Sequence, residues 1–425
     1  MRLALALLLT SLFWAGAAPA DEPASSGADG YTPLAGSAPP LRLQGYIDIG
    51  FARAQGNGTS FAPGDKSIPA DYGVDTFAPA VNSRGEVAST DAGGRFTNGF
   101  LPRSAGIGGR ASFLVNTFDL DLQYQVPEAP LLFFARFQLL PRFSSSGDAT
   151  RVVAEQAFAR LVPFSSQELA VSVGKFDSVV GIEYLENEAN LRTGVTPSLI
   201  ARYTTGQSIG AKAFYRVQIP SLWTAVSLNV AATNSGSLVE SLSPPDASLT
   251  GTPVLSGRLG LEVNRPTVEL KLGLSAMDGP RNDQSQPGVR QKLLGADARL
   301  VFGPVELRAE VLRLTQDAGG GDKVNGLGTQ SEVSGFQVQG GYVQLGLTKE
   351  LSGALRRVSV YGRYGRRHAQ FEGFTPITVD RVTGGVRLDF WESLAAKGEY
   401  LANRELEGAP SVPNDVVTSS FVYSF

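Results

Sequence analysis

The chain contains no cysteine, a single histidine (His368) and only two methionines. Without cysteine it can form no disulfide framework and carry no lipid anchor on an N-terminal cysteine. Metal sites built on His or Cys side chains are excluded for the same reason, and no cofactor is expected. The formal net charge of −3 is close to balance, which gives no indication of a nucleic-acid partner.

Long apolar runs are also scarce, because after residues 3–18 no stretch approaches the roughly 20 apolar residues that a membrane-spanning helix needs. That first run follows Met1-Arg2 and ends at Ala18-Pro19-Ala20, which predicts a cleaved secretory signal peptide over residues 1–20. Residues 21–40 are rich in Pro, Gly, Ser and Ala and predict a flexible periplasmic leader. If the exported chain lies in a membrane, it must form a closed β-barrel, since only helices and closed barrels satisfy every backbone group there.

What the sequence has instead is period-two alternation, most clearly in its last strand. One face of that strand carries apolar and aromatic side chains, namely Val417, Phe421, Tyr423 and Phe425. The other face carries Thr418, Ser420 and Ser424, with Val422 as the one exception. Such alternation is typical of a strand with one apolar and one polar surface.

The same pattern recurs along residues 41–425 and predicts about 16 strands, with 14 or 18 left open. The predicted strands cover 41–53, 118–126, 133–142, 152–163, 169–176, 208–217, 223–232, 256–264, 268–276, 292–302, 305–313, 336–348, 357–366, 379–390, 395–404 and 416–425. Short and long connections alternate along the chain, and the first long connection is predicted to be an extracellular loop over 54–106. The expected fold class is therefore all-β, a transmembrane antiparallel up-and-down barrel with short periplasmic turns and long extracellular loops. A change of parity at Gly340-Gly341 predicts a β-bulge.

Several short motifs carry a resemblance to known barrels. The terminal aromatics Phe421, Tyr423 and Phe425 resemble the signal that outer-membrane barrels present to the barrel-insertion machinery. The motifs of the OmpL-like β-barrel porin family are matched by Gly174-Lys-Phe-Asp177, Gly181-Ile-Glu183, Thr205-Gly206, Leu294-Gly-Ala-Asp297 and Arg308-Ala-Glu310. A looser similarity to phosphate-selective porins exists, although the inward faces carry charges of both signs and no lysine-rich stripe.

The resemblance implies that the third extracellular loop, residues 177–207, folds into the barrel and constricts it, as in trimeric general porins. The loop carries four acids: Asp177, Glu183, Glu186 and Glu188. Arginines of one parity on two late strands are placed opposite them: Arg357, Arg363 and Arg367, then Arg381 and Arg387. Acids facing arginines would create a transverse field that sorts solutes by charge and dipole.

These patterns favour an outer-membrane porin that passes small hydrophilic solutes by passive diffusion, as a homotrimer if the resemblance holds. Two alternatives remain open: a selective channel for anions such as phosphate or carboxylates, and a non-conducting structural or adhesive barrel. An enzyme is not expected, since His368 is the only histidine and a lone histidine at a loop edge is usually just solvated. Asp119 and Asp121 on one strand face could bind a hard cation, but a lumen lining is the favoured interpretation.

Overall fold

A computed structural model describes residues 40–54, 111–140, 151–164, 168–186, 188–234, 252–280, 290–317, 323–324, 329–330, 335–371, 376–407 and 415–425. The fold is a closed barrel of sixteen antiparallel strands. The barrel strands are β1 Leu41–Ala54, β2 Ala111–Gln125, β3 Leu131–Leu140, β4 Arg151–Leu161, β5 Glu168–Asp177, β6 Gln207–Ile219, β7 Thr224–Thr233, β8 Val254–Arg265, β9 Val268–Pro280, β10 Arg290–Phe302, β11 Val305–Gln316, β14 Phe336–Glu350, β15 Leu355–Phe371, β16 Ile377–Phe390, β17 Leu394–Glu405 and β18 Val416–Ser424. Between β11 and β14, the short strands β12 Lys323–Val324 and β13 Thr329–Gln330 form a separate two-stranded sheet.

Each barrel strand pairs with its neighbours along the chain, and β1 closes the barrel by pairing with both β2 and β18. The closure ends in two backbone hydrogen bonds of 3.0 Å between Gly45 and Phe425. The predicted all-β up-and-down barrel is therefore confirmed, including the count of sixteen. The predicted signal peptide and nearly all of the predicted leader and first loop lie outside the described residues, and in the described part no helix is long and apolar enough to cross a membrane.

Alternation along the strands separates an apolar outside from a polar inside. On β18, Phe421 and Tyr423 are about half exposed on the outer surface, whereas Thr418 and Ser420 are buried inside the barrel. The exception, Val422, also faces inward, where it packs in one cluster with Tyr46, Ala189 and Ala395. Its apolar side chain is thus explained by a contact with a loop residue inside the barrel.

One end of the barrel, here called the turn end, has tight connections between strands. Trp223 and Trp391 lie in two of these turns with positive φ angles of 56° and 51°, and both side chains are more than half exposed. The opposite end, here called the loop end, carries the longer connections. Exposed tryptophans at the turn end, such as Trp223 and Trp391, are typical of a membrane-interface girdle.

The prediction of a β-bulge at Gly340-Gly341 is wrong. The ladders from β14 to β11 and to β15 run through both glycines without a register shift. The parity changes because Val338 is an apolar residue that points into the barrel, where it is buried. The two glycines allow close approach instead, since a Cβ on Gly340 would lie 2.6 Å from Ile200 Cγ2 and one on Gly341 would lie 2.7 Å from Val311 Cγ1.

A bulge does occur in β4, where the pairing with β3 shifts between Arg136 and Phe137. As a result, the consecutive residues Glu155 and Gln156 are both buried inside the barrel. A bulge is the usual way to point two neighbouring side chains of one strand to the same side. Here it concentrates polar groups on the wall beside the third loop.

Candidate functional site

The third connection at the loop end, residues 178–206, is here called L3, and its described residues, 178–186 and 188–206, lie inside the barrel. It leaves β5, passes through two short 3₁₀ turns, Glu183–Glu186 and Ala201–Tyr203, and returns to β6. Val195 and Ile200 have at most 1% of their surface exposed. A surface loop would leave such side chains in water, so L3 is packed against the inner wall along most of its length.

An apolar contact fixes both ends of L3 against the wall. Val180, Ile200 and Tyr203 share one cluster with inward-facing residues of the wall. The wall residues are Val254, Met277, Leu293, Leu312, Leu314, Val338, Tyr342 and Ala369. Each fully buried side chain of this size contributes about 1.5–3 kcal/mol relative to exposure, so this contact is a main source of the loop's placement.

Two charged side chains of β17 bind the backbone at the tip of L3. The Lys397 ammonium donates to the carbonyl oxygens of Ala189, Arg192 (2.6 Å) and Gly194 (3.2 Å). The Glu399 carboxylate accepts hydrogen bonds from the Val195 and Thr196 backbone N–H groups at 2.7 and 2.9 Å. Sequence reasoning missed this pair, although its parity on β17 could have marked both residues as inward-facing.

The five predicted arginines have three different surroundings. Arg363 donates to the carbonyl oxygens of Thr196 (2.9 Å) and Pro197 (3.0 Å) in L3. Arg387 donates to the L3 carbonyls of Asn190 (3.0 Å) and Arg192 (2.8 Å). These two arginines therefore hold the loop backbone.

The other three predicted arginines lie on the wall. Arg367 and Arg381 are inward-facing and almost fully buried, and Arg381 donates to Asn403 Oδ1 at 2.8 Å. Arg357 lies near the turn end, where it pairs with Asp389 at 2.9 Å and keeps 45% of its side chain exposed. Its described partners are thus residues of the wall.

The predicted acids of the loop are each engaged. Glu186 forms an ion pair with Arg308 of β11 (2.8 Å), and Glu188 forms one with Arg136 of β3. Glu183 accepts hydrogen bonds from the backbone N–H and the hydroxyl of Ser198, another L3 residue. The ion-pair partners of the two glutamates are therefore Arg308 and Arg136, which sequence reasoning missed, and not the five late-strand arginines.

Asp177, the fourth predicted acid, is the last residue of β5. It accepts hydrogen bonds from Gln156 (2.7 Å) and Gln207 (3.3 Å) on the neighbouring strands. It therefore belongs to the wall at the root of L3.

Three carboxylates, those of Asp119, Glu155 and Glu188, offer oxygens within 4.8 Å of one another. Arg136 lies beside this cluster and pairs with both Glu188 and Asp121, which supplies positive charge from the protein itself. Asp121 and Asp119 thus serve as lining residues in the described structure, and we assign no metal there. His368 lies within β15, where its Nδ1 is 2.8 Å from the Thr378 hydroxyl oxygen.

No family model and no curated protein matches the chain, so the OmpL-like resemblance is not confirmed. Solved structures do match. The outer membrane channel DcaP of Acinetobacter baumannii has a TM-score of 0.51 at 12% identity, covering 91% of this chain and 97% of that chain. The Salmonella typhi OmpF complex with daunomycin gives the same TM-score, identity and coverage. An anion-selective porin from Comamonas acidovorans has a TM-score of 0.50 at 12% identity, covering 91% of this chain and 99% of that chain. At these identities the similarity shows the fold alone, which is the porin-type β-barrel.

Proposed function

We propose that this chain is an outer-membrane porin through which small hydrophilic solutes and ions diffuse passively past L3. The observation that carries the proposal is the placement of L3, which contacts strands on several sides of the barrel interior. Glu186 and Glu188 reach β11 and β3, while Lys397 and Glu399 hold the loop from β17. A sixteen-stranded barrel encloses an aqueous channel, so a loop that crosses its interior sets the narrowest point.

The outer surface supports a location in the outer membrane. Leu274 on β9 and Leu294 on β10 face outward and are 63% and 65% exposed. The inward-facing positions of β10 and β11 include the buried residues Asp297 and Arg308. Apolar-out and polar-in alternation is what a lipid-embedded barrel with a watery interior requires. The turn end then faces the periplasm and the loop end the exterior, after export through the signal peptide at 1–20. The terminal aromatics Phe421, Tyr423 and Phe425 would guide insertion.

The wall charges support a general porin over a phosphate-selective one. Arg216 pairs with Glu168 and Glu262 at 2.8 Å, and Arg258 pairs with Asp297. Because many cations of the described wall have an acidic partner, the interior is mixed in sign and a mild ion preference is expected. Arg363 departs from this pattern, since its described bonds go to neutral L3 oxygens, and this favours the selective anion channel as the second candidate.

The test is the single-channel current of the purified protein in a planar bilayer under a salt gradient. A large, unsaturating conductance with a reversal potential near zero is the expected result. Small, saturating conductance with a strong anion-directed reversal potential would replace the general porin by the selective anion channel. Folded protein without any conductance would favour the structural barrel. Cross-linking in detergent, with a ladder ending at three copies, tests the proposed homotrimer separately.

A further inference from the structure

A small cavity of about 20 Å³ lies between L3 and the wall strands β11, β14 and β15. Its lining includes Glu183, Glu186, Arg192, Arg308, Tyr342 and Arg363. A polar cavity of this volume holds about one water-sized particle.

Arg192 brings unused donors to this cavity. Only 6% of its surface is exposed, and its Nε and Nη1 atoms are buried without a hydrogen-bond partner among the described residues. The backbone of Arg192 is held in place, because Lys397 and Arg387 both donate to its carbonyl oxygen. Burial lowers the pKa of the Arg192 guanidinium, and the nearby negative charge of Glu399 opposes that change.

Tyr342 adds a third unused donor from the wall. Its side chain is 3% exposed, and its hydroxyl is buried with no hydrogen-bond partner in the described part of the chain. A buried hydroxyl without a partner costs about 1–3 kcal/mol, so a ligand that accepts its hydrogen would be stabilised there.

The two carboxylates that line the cavity, those of Glu183 and Glu186, already have partners in the described structure. Glu186 is paired with Arg308, and Glu183 accepts hydrogen bonds from Ser198. Although Glu399 is the largest attractive charge near Arg192, its oxygens accept from Val195 and Thr196. A water molecule would accept hydrogen bonds from the free N–H and O–H groups but would not compensate the guanidinium charges. A small anion accepts only, and it also compensates the guanidinium charges.

We propose that this cavity binds one small monovalent anion, a halide or a single carboxylate group, between Arg192 of L3 and Tyr342 and Arg363 of the wall. The anion would join the loop to β14 and β15. This assignment is independent of whether the barrel conducts, since it concerns a ligand held between L3 and the wall.

The test uses bromide as the probe. Crystals grown in sodium bromide are expected to show an anomalous difference peak in the cavity of the wild-type protein. The peak should be lost in Arg192→Gln. Arg313→Gln is the control variant, and the peak should be retained in it. Arg313 lies on β11, and among the described residues its exposed side chain bonds only Gln337. Absence of the peak from the wild type, or its persistence in Arg192→Gln with L3 in place, would overturn the proposal.

A milder substitution covers the case in which Arg192→Gln prevents L3 from adopting its position in the barrel. Tyr342→Phe removes one donor and keeps the ring, so bromide affinity, measured from peak occupancy over a bromide series, should fall about tenfold. Unchanged occupancy would count against the site. Formate added to wild-type crystals then separates the two ligand sources: displacement of bromide supports a carboxylate site, and retention supports a halide site.

Discussion

The Glu399 carboxylate on β17 accepts two hydrogen bonds from Thr196 in L3, one from its backbone N–H at 2.9 Å and one from its hydroxyl at 2.7 Å. Both residues are buried, so neither bond competes directly with solvent. A side chain of the wall thereby satisfies backbone donors of a loop that has no regular structure of its own at this point. This is why the tip of L3 has a defined position.

Glu399→Gln should loosen the tip of L3 while leaving the barrel closed. The amide keeps one acceptor but turns an NH₂ group toward donors, and a buried unsatisfied donor costs about 1–3 kcal/mol. Hydrogen exchange at the Val195 and Thr196 amides is expected to accelerate by roughly 5- to 150-fold. Glu262→Gln is the matched control, because Glu262 pairs with Arg216 on the wall. Equal exchange rates in the Glu399 variant and the wild type would contradict the proposed role.

Gly194→Ala should displace the tip of L3 by steric overlap. A Cβ at this position would collide with a Glu399 carboxylate oxygen and the Tyr361 hydroxyl, two groups that hydrogen-bond each other. The expected readout is a higher and noisier single-channel conductance. Gly362→Ala is the control, since nothing lies within 4 Å of a Cβ built there. Identical traces from the two variants would show that L3 does not need this close approach.

Replacing Arg363, Arg381 and Arg387 together by alanine should shift ion selectivity toward cations. All three face the interior, and two of them also hold the L3 backbone, so a rise in conductance should accompany the shift. The measurement is the reversal potential under a salt gradient. Arg366→Ala provides the control, because Arg366 faces outward and pairs with Asp380. A reversal potential that does not change in the triple variant would contradict the hypothesis that these arginines set the ion selectivity.

Phe425→Ala should impair membrane insertion more than the stability of the finished barrel. The Phe425 ring stacks on Phe118 with centroids 6.0 Å apart, a contact worth about 0.5–1.5 kcal/mol, while the closing bonds to Gly45 use backbone atoms only. We expect a reduced yield in the outer membrane and a nearly normal melting temperature after refolding in detergent. Leu294→Ala, which removes another outward-facing side chain, should leave the yield unchanged. Equal yields for both variants would remove the basis for a terminal signal.

Period-two alternation predicted about sixteen strands and the position of L3 along the chain, and the long loops and terminal aromatics favoured a barrel. Alternation failed at Gly340-Gly341 because the rule equates apolar with outward, whereas Val338 is apolar and packs inside with Ile200. Strand parity assigns a face to a residue but says nothing about its height or its partner across the lumen. The pairs Glu186 with Arg308 and Glu188 with Arg136 depend on that height, so they could be found only from coordinates.

The most direct test of the central claim compares the single-channel conductance of two shortened proteins. In one, residues 182–202 of L3 are replaced by a short Gly-Ser linker. In the other, residues 318–334, which include β12 and β13, are shortened in the same way as a control. If L3 narrows a water-filled pore, the first protein will conduct several-fold more current than the wild type and the second will not. Unchanged conductance in the L3-shortened protein, with its barrel folded, would contradict the account.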